Sequence, residues 1–320
     1  MKNKLLILLG LMAVIVFGSI LVTNGVNKES EKENEITIVT SFYPMYVLVS
    51  NVVGDNNNVK VVNLTEYQSG CLHDYQLTTK DMKRLENADI FVMNGGGMES
   101  FMSDVLKAYP DIPIINASEN IELLTSAGHS HEYDELENED GETSDEHEGE
   151  EFNAHVWLNM NYYLQQIDNV NKRLSELDSE NASNYNENSE NYKKKVTELK
   201  DEMETALKAV NNTNVIIFHD SFAYLAQELG LNVVHTVDMD SESALSAGEI
   251  AEVVDDVKEN NIQILFTEKQ YSTSIADNIA KETGAKVFVI DSIVTGDMSK
   301  DAYILGMKKN LEVLKEAFIQ

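Results

Sequence analysis

The chain has 320 residues, with 24 Lys+Arg against 55 Asp+Glu, for a formal net charge of −31. Hydrophobic residues make up 42%, so this is a folding chain and not an acidic disordered tail, at a length that suits one large or two medium domains. The charge excludes nucleic acid and anionic lipid surfaces, which need a basic patch, and the single Cys excludes an intrachain disulfide framework, a zinc ribbon and a CxxC motif.

Lys2 and Lys4 precede an apolar run from Leu5 to Val22, broken only by Gly10, Gly18 and Ser19. A basic start before an apolar core reads as a secretory signal, and the run is also near the length that spans a bilayer. No A-x-A cleavage pattern follows, and the only Cys is Cys71, too far on for a lipoprotein attachment. Residues 1–24 are therefore expected to be a signal peptide or membrane anchor, with the uncleaved anchor preferred. The polar stretch 25–35 reads as a tether, and everything after it should lie outside the cytoplasm.

From Ile36 short β-branched runs alternate with amphipathic stretches. ITIVT (36–40), VKVVNL (59–64), DIFVM (89–93) and IPIINA (112–117) are expected strands, with helices between them at 78–87 and 98–108. This alternation predicts βαβ units and a parallel sheet. His73 falls in the loop after VKVVNL, just before the first of those helices. Residues 129–152 then hold twelve Asp/Glu and three His with no Lys or Arg, which places −12 of the −31 in one segment. Without apolar periodicity it reads as a surface loop inserted in the first lobe. Its His129, His131 and His147 are candidates for weak metal sampling, because imidazole suits zinc and copper.

His155 follows this loop and opens the helical pattern HVWLNMNYY, which runs to about 177. Tyr192, Val196, Leu199, Met203 and Leu207 then recur along one helix face, which predicts a long connector. The strand grammar resumes with NVIIF (214–218), NVVHTV (232–237), IQILFT (262–267) and AKVFVID (285–291), and a terminal helix carries Ile304, Met307, Leu311, Leu314 and Phe318. The expected division is a first α/β lobe at 36–180, a linker helix at 181–211 and a second α/β lobe at 212–320. The fold class is thus α/β, two lobes with parallel sheets joined by a long helix. His219 ends one strand run and opens a helix, and Asp291 ends another. Such lobes present ligands beyond the carboxyl ends of their strands. His73, His155, His219 and Asp291 all occupy places of that kind, whereas His235 lies within a strand pattern and reads as structural. Three neutral imidazoles and one carboxylate make a set suited to tetrahedral Zn²⁺, with Mn²⁺ or Fe²⁺ better served by more oxygen. A shell closed by four protein ligands argues for binding over hydrolysis, and no HExxH-type motif accompanies it.

These segments resemble the zinc/manganese solute-binding proteins of bacterial ABC importers, the group built on a rigid helical backbone. GCLHDYQLTTKDMKRLENADIFVMNGGGMESF is similar to the family's first-ligand region and HVWLN to its second. FHDSFAYLAQELGL is similar to the third, and FTEKQYS and AKVFVID to the last. The likeness covers nearly everything after the N-terminal segment. It implies a non-enzymatic, monomeric receptor at the outer face of the cytoplasmic membrane that delivers metal to an ABC permease and its cytoplasmic ATPase. It implies ligand roles for His73, His155, His219 and Asp291, and places Glu268 beside the site. A His at the third position implies Zn²⁺, with Mn²⁺ the alternative. A Mn²⁺/Fe²⁺ importer receptor and a metal-binding adhesin or scavenger are the alternative functions. The chain departs from the family at Leu72, at Asn153-Ala154 and at Ser292, where the family often carries Pro or Asp-Pro.

Overall fold

The computed structural model describes residues 35–65, 72, 75–126, 152–210, 212–237, 239 and 245–319. The apolar run Leu5–Val22, most of the tether, His73 and the three loop histidines lie outside the described residues. Among the described residues, eight strands form two parallel four-stranded sheets. The first contains β1 (Ile36–Thr40), β2 (Val59–Asn63), β3 (Ile90–Met93) and β4 (Ile114–Asn116), in the order β2-β1-β3-β4. The second contains β5 (Asn214–Ile217), β6 (Asn232–Thr236), β7 (Ile264–Glu268) and β8 (Lys286–Ile290), in the order β6-β5-β7-β8. All eight expected runs are strands, and the fold is a two-lobed α/β fold. In each sheet the chain leaves the first strand toward one neighbour and then crosses to the other side. A switch-point crevice therefore opens at the carboxyl ends of β1 and β3, and another at those of β5 and β7.

The helices are α1 (Tyr43–Val53), α2 (Thr79–Glu86), α3 (Met102–Ala108), α4 (Met160–Leu177), α5 (Ala182–Leu207), α6 (Ala223–Leu229), α7 (Ala247–Glu259), α8 (Ser274–Thr283) and α9 (Ala302–Phe318). The helix expected from 98 starts only at Met102. Gly95, Gly96 and Gly97 all have positive φ, and the Glu99 carboxylate turns back to accept from the Asn94 and Gly95 amides at 2.7 and 3.0 Å. That local turn takes residues 94–99 out of any helix. The helix expected to open at His155 is likewise two pieces, a 3₁₀ turn at Val156–Leu158 and then α4, capped by the Asn159 side chain.

Helix α5 is 26 residues long, about 39 Å at 1.5 Å per residue. Its buried face (Tyr185, Tyr192, Val196, Leu199, Met203, Leu207) packs on α1 and α4 and also on α9, so one helix supports both lobes. The core follows strand alternation. Val215, Ile217, Ile264 and Phe266 join the cluster that runs through both lobes, whereas Ile216 and Leu265 face the other way, onto Val253, Val254, Val257 and Ile279 of α7 and α8.

The seam between lobes is apolar with a few fixed polar ties. Trp157 is fully buried and donates Nε1–H to the Ser292 carbonyl at 2.8 Å, while Tyr303 Oη donates to the Trp157 carbonyl at 2.8 Å. The Tyr163 and Tyr303 rings stack 3.8 Å apart. Tyr43 Oη donates to the Asp297 carbonyl at 2.5 Å and lies where a Cβ on Gly296 would come within 2.3 Å, so a side chain at 296 would have to push that ring aside. Among the described residues no helix is long and apolar enough to cross a membrane.

Candidate metal centre

His155 and His219 come from different lobes and meet. His219 follows β5 at the second switch point, and His155 precedes the 3₁₀ turn that leads into α4. Both are buried, and their rings stand edge to face with centroids 4.9 Å apart. Trp157 flanks His155 at 5.4 Å and Tyr271 flanks His219 at 5.5 Å, which walls the imidazoles with aromatic surface.

The neighbours of each ring assign its tautomer. Asn153 donates through Nδ2 to the Asp220 carbonyl at 2.7 Å, which turns its Oδ1 toward His155. That oxygen takes the His155 backbone N–H at 3.0 Å and lies 2.9 Å from Nδ1. An amide oxygen only accepts, so Nδ1 carries the proton and Nε2 keeps its lone pair. At His219, Nδ1 donates to the Glu268 carboxylate, which is fully buried at the end of β7. Ser292 donates to the other Glu268 oxygen, and Ser221 Oγ lies 3.4 Å from the first. A buried carboxylate thus orients the imidazole and leaves Nε2 as the donor, the arrangement that metal-binding histidines use.

Asp220 joins them. One of its carboxylate oxygens, Oδ1, lies 3.4 Å from His155 Nδ1 and 3.6 Å from His219 Nε2. Donor atoms of His155, His219 and Asp220 all lie within 4.8 Å of one another, and this is the one such cluster among the described residues. The second Asp220 oxygen, Oδ2, accepts from Ser126 Oγ at 2.9 Å. Ser126 is the last described residue before the acidic segment, whose base is closed by a Thr125–Phe152 bridge. Sequence reading missed Asp220. The signal was its position beside His219 at a strand end, but adjacency does not say which way a side chain turns.

Asp291 directly follows β8, at the expected strand end, with its carboxylate 16% exposed and 2.9 Å from Lys269 Nζ. Asn310 of α9 clamps its backbone N–H and carbonyl at 2.9 and 2.8 Å. It is outside the cluster of three. Glu268 sits against His219, and His235 pairs with Asp256 at 2.6 Å on the edge strand β6. Two nitrogens and at least one carboxylate oxygen, desolvated and pre-oriented, suit a divalent transition metal ion.

The family model for ZnuA, zinc-uptake complex component A, periplasmic, matches residues 38–317. The zinc-binding protein AdcA of Streptococcus pyogenes serotype M3 is 30% identical over 324 residues, which takes in 98% of this chain and 61% of that protein. The chain thus spans about three-fifths of the length of such relatives. The high-affinity zinc uptake system protein ZnuA of Bacillus subtilis (strain 168) is 29% identical, over 90% of this chain and 89% of that one. The SBP FpvC from Pseudomonas aeruginosa, solved in complex with Mn²⁺, superimposes with a TM-score of 0.76 at 26% identity, covering 89% of this chain and 99% of that chain.

Proposed function

This chain belongs to the ZnuA family of zinc-uptake components, and on that footing we propose that it is an extracytoplasmic receptor for Zn²⁺. It captures the ion between its lobes and delivers it to an ABC permease driven by a cytoplasmic ATPase. The observation that carries this reading is the meeting of His155 and His219, two buried imidazoles from different lobes, each with Nδ1 engaged and Nε2 left as a donor. In this reading His73 and Asp291 complete the shell, and residues 36–180 and 212–320 are lobes about a linker at 181–211. Residues 1–24 hold the receptor at the outer face of the membrane as a monomer. The His129, His131 and His147 segment concentrates cations near the site. The work done is binding and release, not turnover.

Mn²⁺ is the second reading, and Asp220 favours it, because a second carboxylate within reach of both imidazoles makes the donor set richer in oxygen. Isothermal titration of the purified protein with each ion tests both. Zn²⁺ should bind more tightly than Mn²⁺, and His219→Ala should weaken Zn²⁺ binding by about 100-fold or more. Unchanged affinity in that variant would remove the ligand assignment, and a preference for Mn²⁺ would select the second reading.

A further inference from the structure

We propose that Lys269 is an internal competitor for the metal ion: its ammonium occupies the Asp291 oxygen that the ion needs, which lowers affinity and speeds release. The inference rests on the reading of Asp291 as a metal ligand.

Strand register makes the pair. In the parallel ladder between β7 and β8, Glu268 stands opposite Ile290. The next residues, Lys269 and Asp291, are therefore side by side at the carboxyl edge, and the Lys269 amide donates to the Ile290 carbonyl at 3.0 Å. Glu268 is the last residue of β7 and reaches His219, whereas Lys269 lies just past the strand with its side chain at the exposed rim. From there Lys269 Nζ reaches back to Asp291 Oδ2 at 2.9 Å.

The two partners differ in freedom. Asp291 is fixed: Asn310 clamps its backbone on both sides, and its Oδ1 accepts from the Ile293 amide at 2.9 Å. Ile293 has φ +60°, a left-handed conformation that strains a β-branched residue and persists only where its surroundings hold it. The Ser292 hydroxyl on Glu268 and the Ser292 carbonyl under Trp157 supply that hold. Lys269, in contrast, is 57% exposed on a flexible stem and can swing into water with little loss, as exposed ion pairs contribute little. Oδ2 is thus a rigidly presented oxygen with a removable cation on it. An ion arriving there must displace the ammonium or endure its repulsion, and the returning ammonium assists departure.

The test measures Zn²⁺ affinity by chelator competition and release by chelator chase in the full-length protein. Four forms are compared: the unaltered protein, Lys269→Met, Asp291→Ala and the double variant. Lys269→Met should bind about three- to tenfold more tightly and release correspondingly slowly, while Lys269→Arg stays near the unaltered protein. The gain should vanish in the Asp291→Ala background, which a merely structural role would not produce. Lys269→Met with unaltered affinity and release overturns the proposal, as does a gain that persists without Asp291. Should Lys269→Met melt lower without metal, Lys269→Gln replaces it. Failure of the parent reading shows separately: Asp291→Ala alone would then bind Zn²⁺ as tightly as the unaltered protein, whatever the lysine does.

Discussion

At the carboxyl edge of the second sheet, the buried Glu268 reaches the His219 imidazole. At the matching edge of the first sheet, the buried Glu99 instead reaches the backbone amides of Asn94 and Gly95. The two sheets share one strand order and both place a carboxylate at the switch point, yet one carboxylate orients a donor and the other a turn. The first lobe contributes to the site from elsewhere. Its His155 arrives after β4 and the acidic segment, and the Glu99 turn touches it only indirectly, through Asn94 Nδ2 on the Ala154 carbonyl at 2.8 Å. One topology therefore supplies two equivalent anchor points, and the chemistry depends on what each carboxylate holds.

Replacing each carboxylate by its amide tests that contrast and has the largest expected effect. Glu268→Gln removes the charged acceptor from His219 and should weaken Zn²⁺ binding by about 10- to 100-fold. Glu99→Gln puts an amide NH₂ against a backbone N–H and should lower stability by about 1–3 kcal/mol. Its Zn²⁺ affinity should stay within about threefold, since no ligand is touched. Burial holds the Glu99 carboxyl above its ordinary range, so the folded protein favours its protonated form. Chemical denaturation read beside Zn²⁺ titration separates the two variants, and equal losses of affinity would erase the distinction between the lobes.

The second test concerns the joint between them. Glu228 of α6, in the second lobe, accepts the Met160 amide at 2.8 Å and the Asn161 side chain at 3.1 Å, at the start of α4. Burial raises its pKa from 4.5 to about 7, partly offset by those hydrogen bonds and by Lys200, with Glu204 acting in the same direction as burial. A carboxyl with a folded-state pKa above its unfolded one binds its proton more tightly when folded. Its stabilising contribution is therefore complete below about 4.5 and is lost as pH rises toward 7. Glu228→Gln should remove this slope and be more stable than the unaltered protein at pH 8 by about 1–2 kcal/mol. Melting curves of both forms from pH 5 to 8 check it, because contributions common to the two proteins cancel in the difference. A difference that does not change with pH would mean that Glu228 stays ionised at the joint.

Much of this was legible in the chain. The β-branched runs gave every strand, since short apolar runs bounded by turns have few other solutions, and the 3.6-residue spacing of Tyr192 to Leu207 gave α5. His155 and His219 were visible because imidazoles at strand and helix ends are few in this sequence. What escaped depended on three-dimensional direction. Asp220 required knowing that a side chain after a strand end turns toward the other lobe. The Lys269–Asp291 pair required the register of β7 on β8, and a slip of one residue would have put those side chains on opposite faces. The late start of α3 required knowing that the Glu99 side chain bonds backward to its own turn instead of extending from a helix.

The smallest expected effect probes how far the acidic segment is coupled to the site. Ser126 donates to Asp220 Oδ2 at 2.9 Å, so the residue next to that segment holds the carboxylate whose other oxygen faces His155 and His219. Ser126→Ala leaves Asp220 with one tie fewer and should lower stability by about 0.5–1 kcal/mol. If Asp220 serves the ion, freeing Oδ2 also changes Zn²⁺ affinity, by about two- to fivefold, because the carboxylate loses its fixed orientation. Asp220→Asn then gives the reference: it should lower affinity further, and Ser126→Ala should add nothing to it. Titration of the two single variants and the double variant measures this. Additive effects would show that Ser126 and Asp220 act separately, and that the first lobe reaches the ion only through its own histidines.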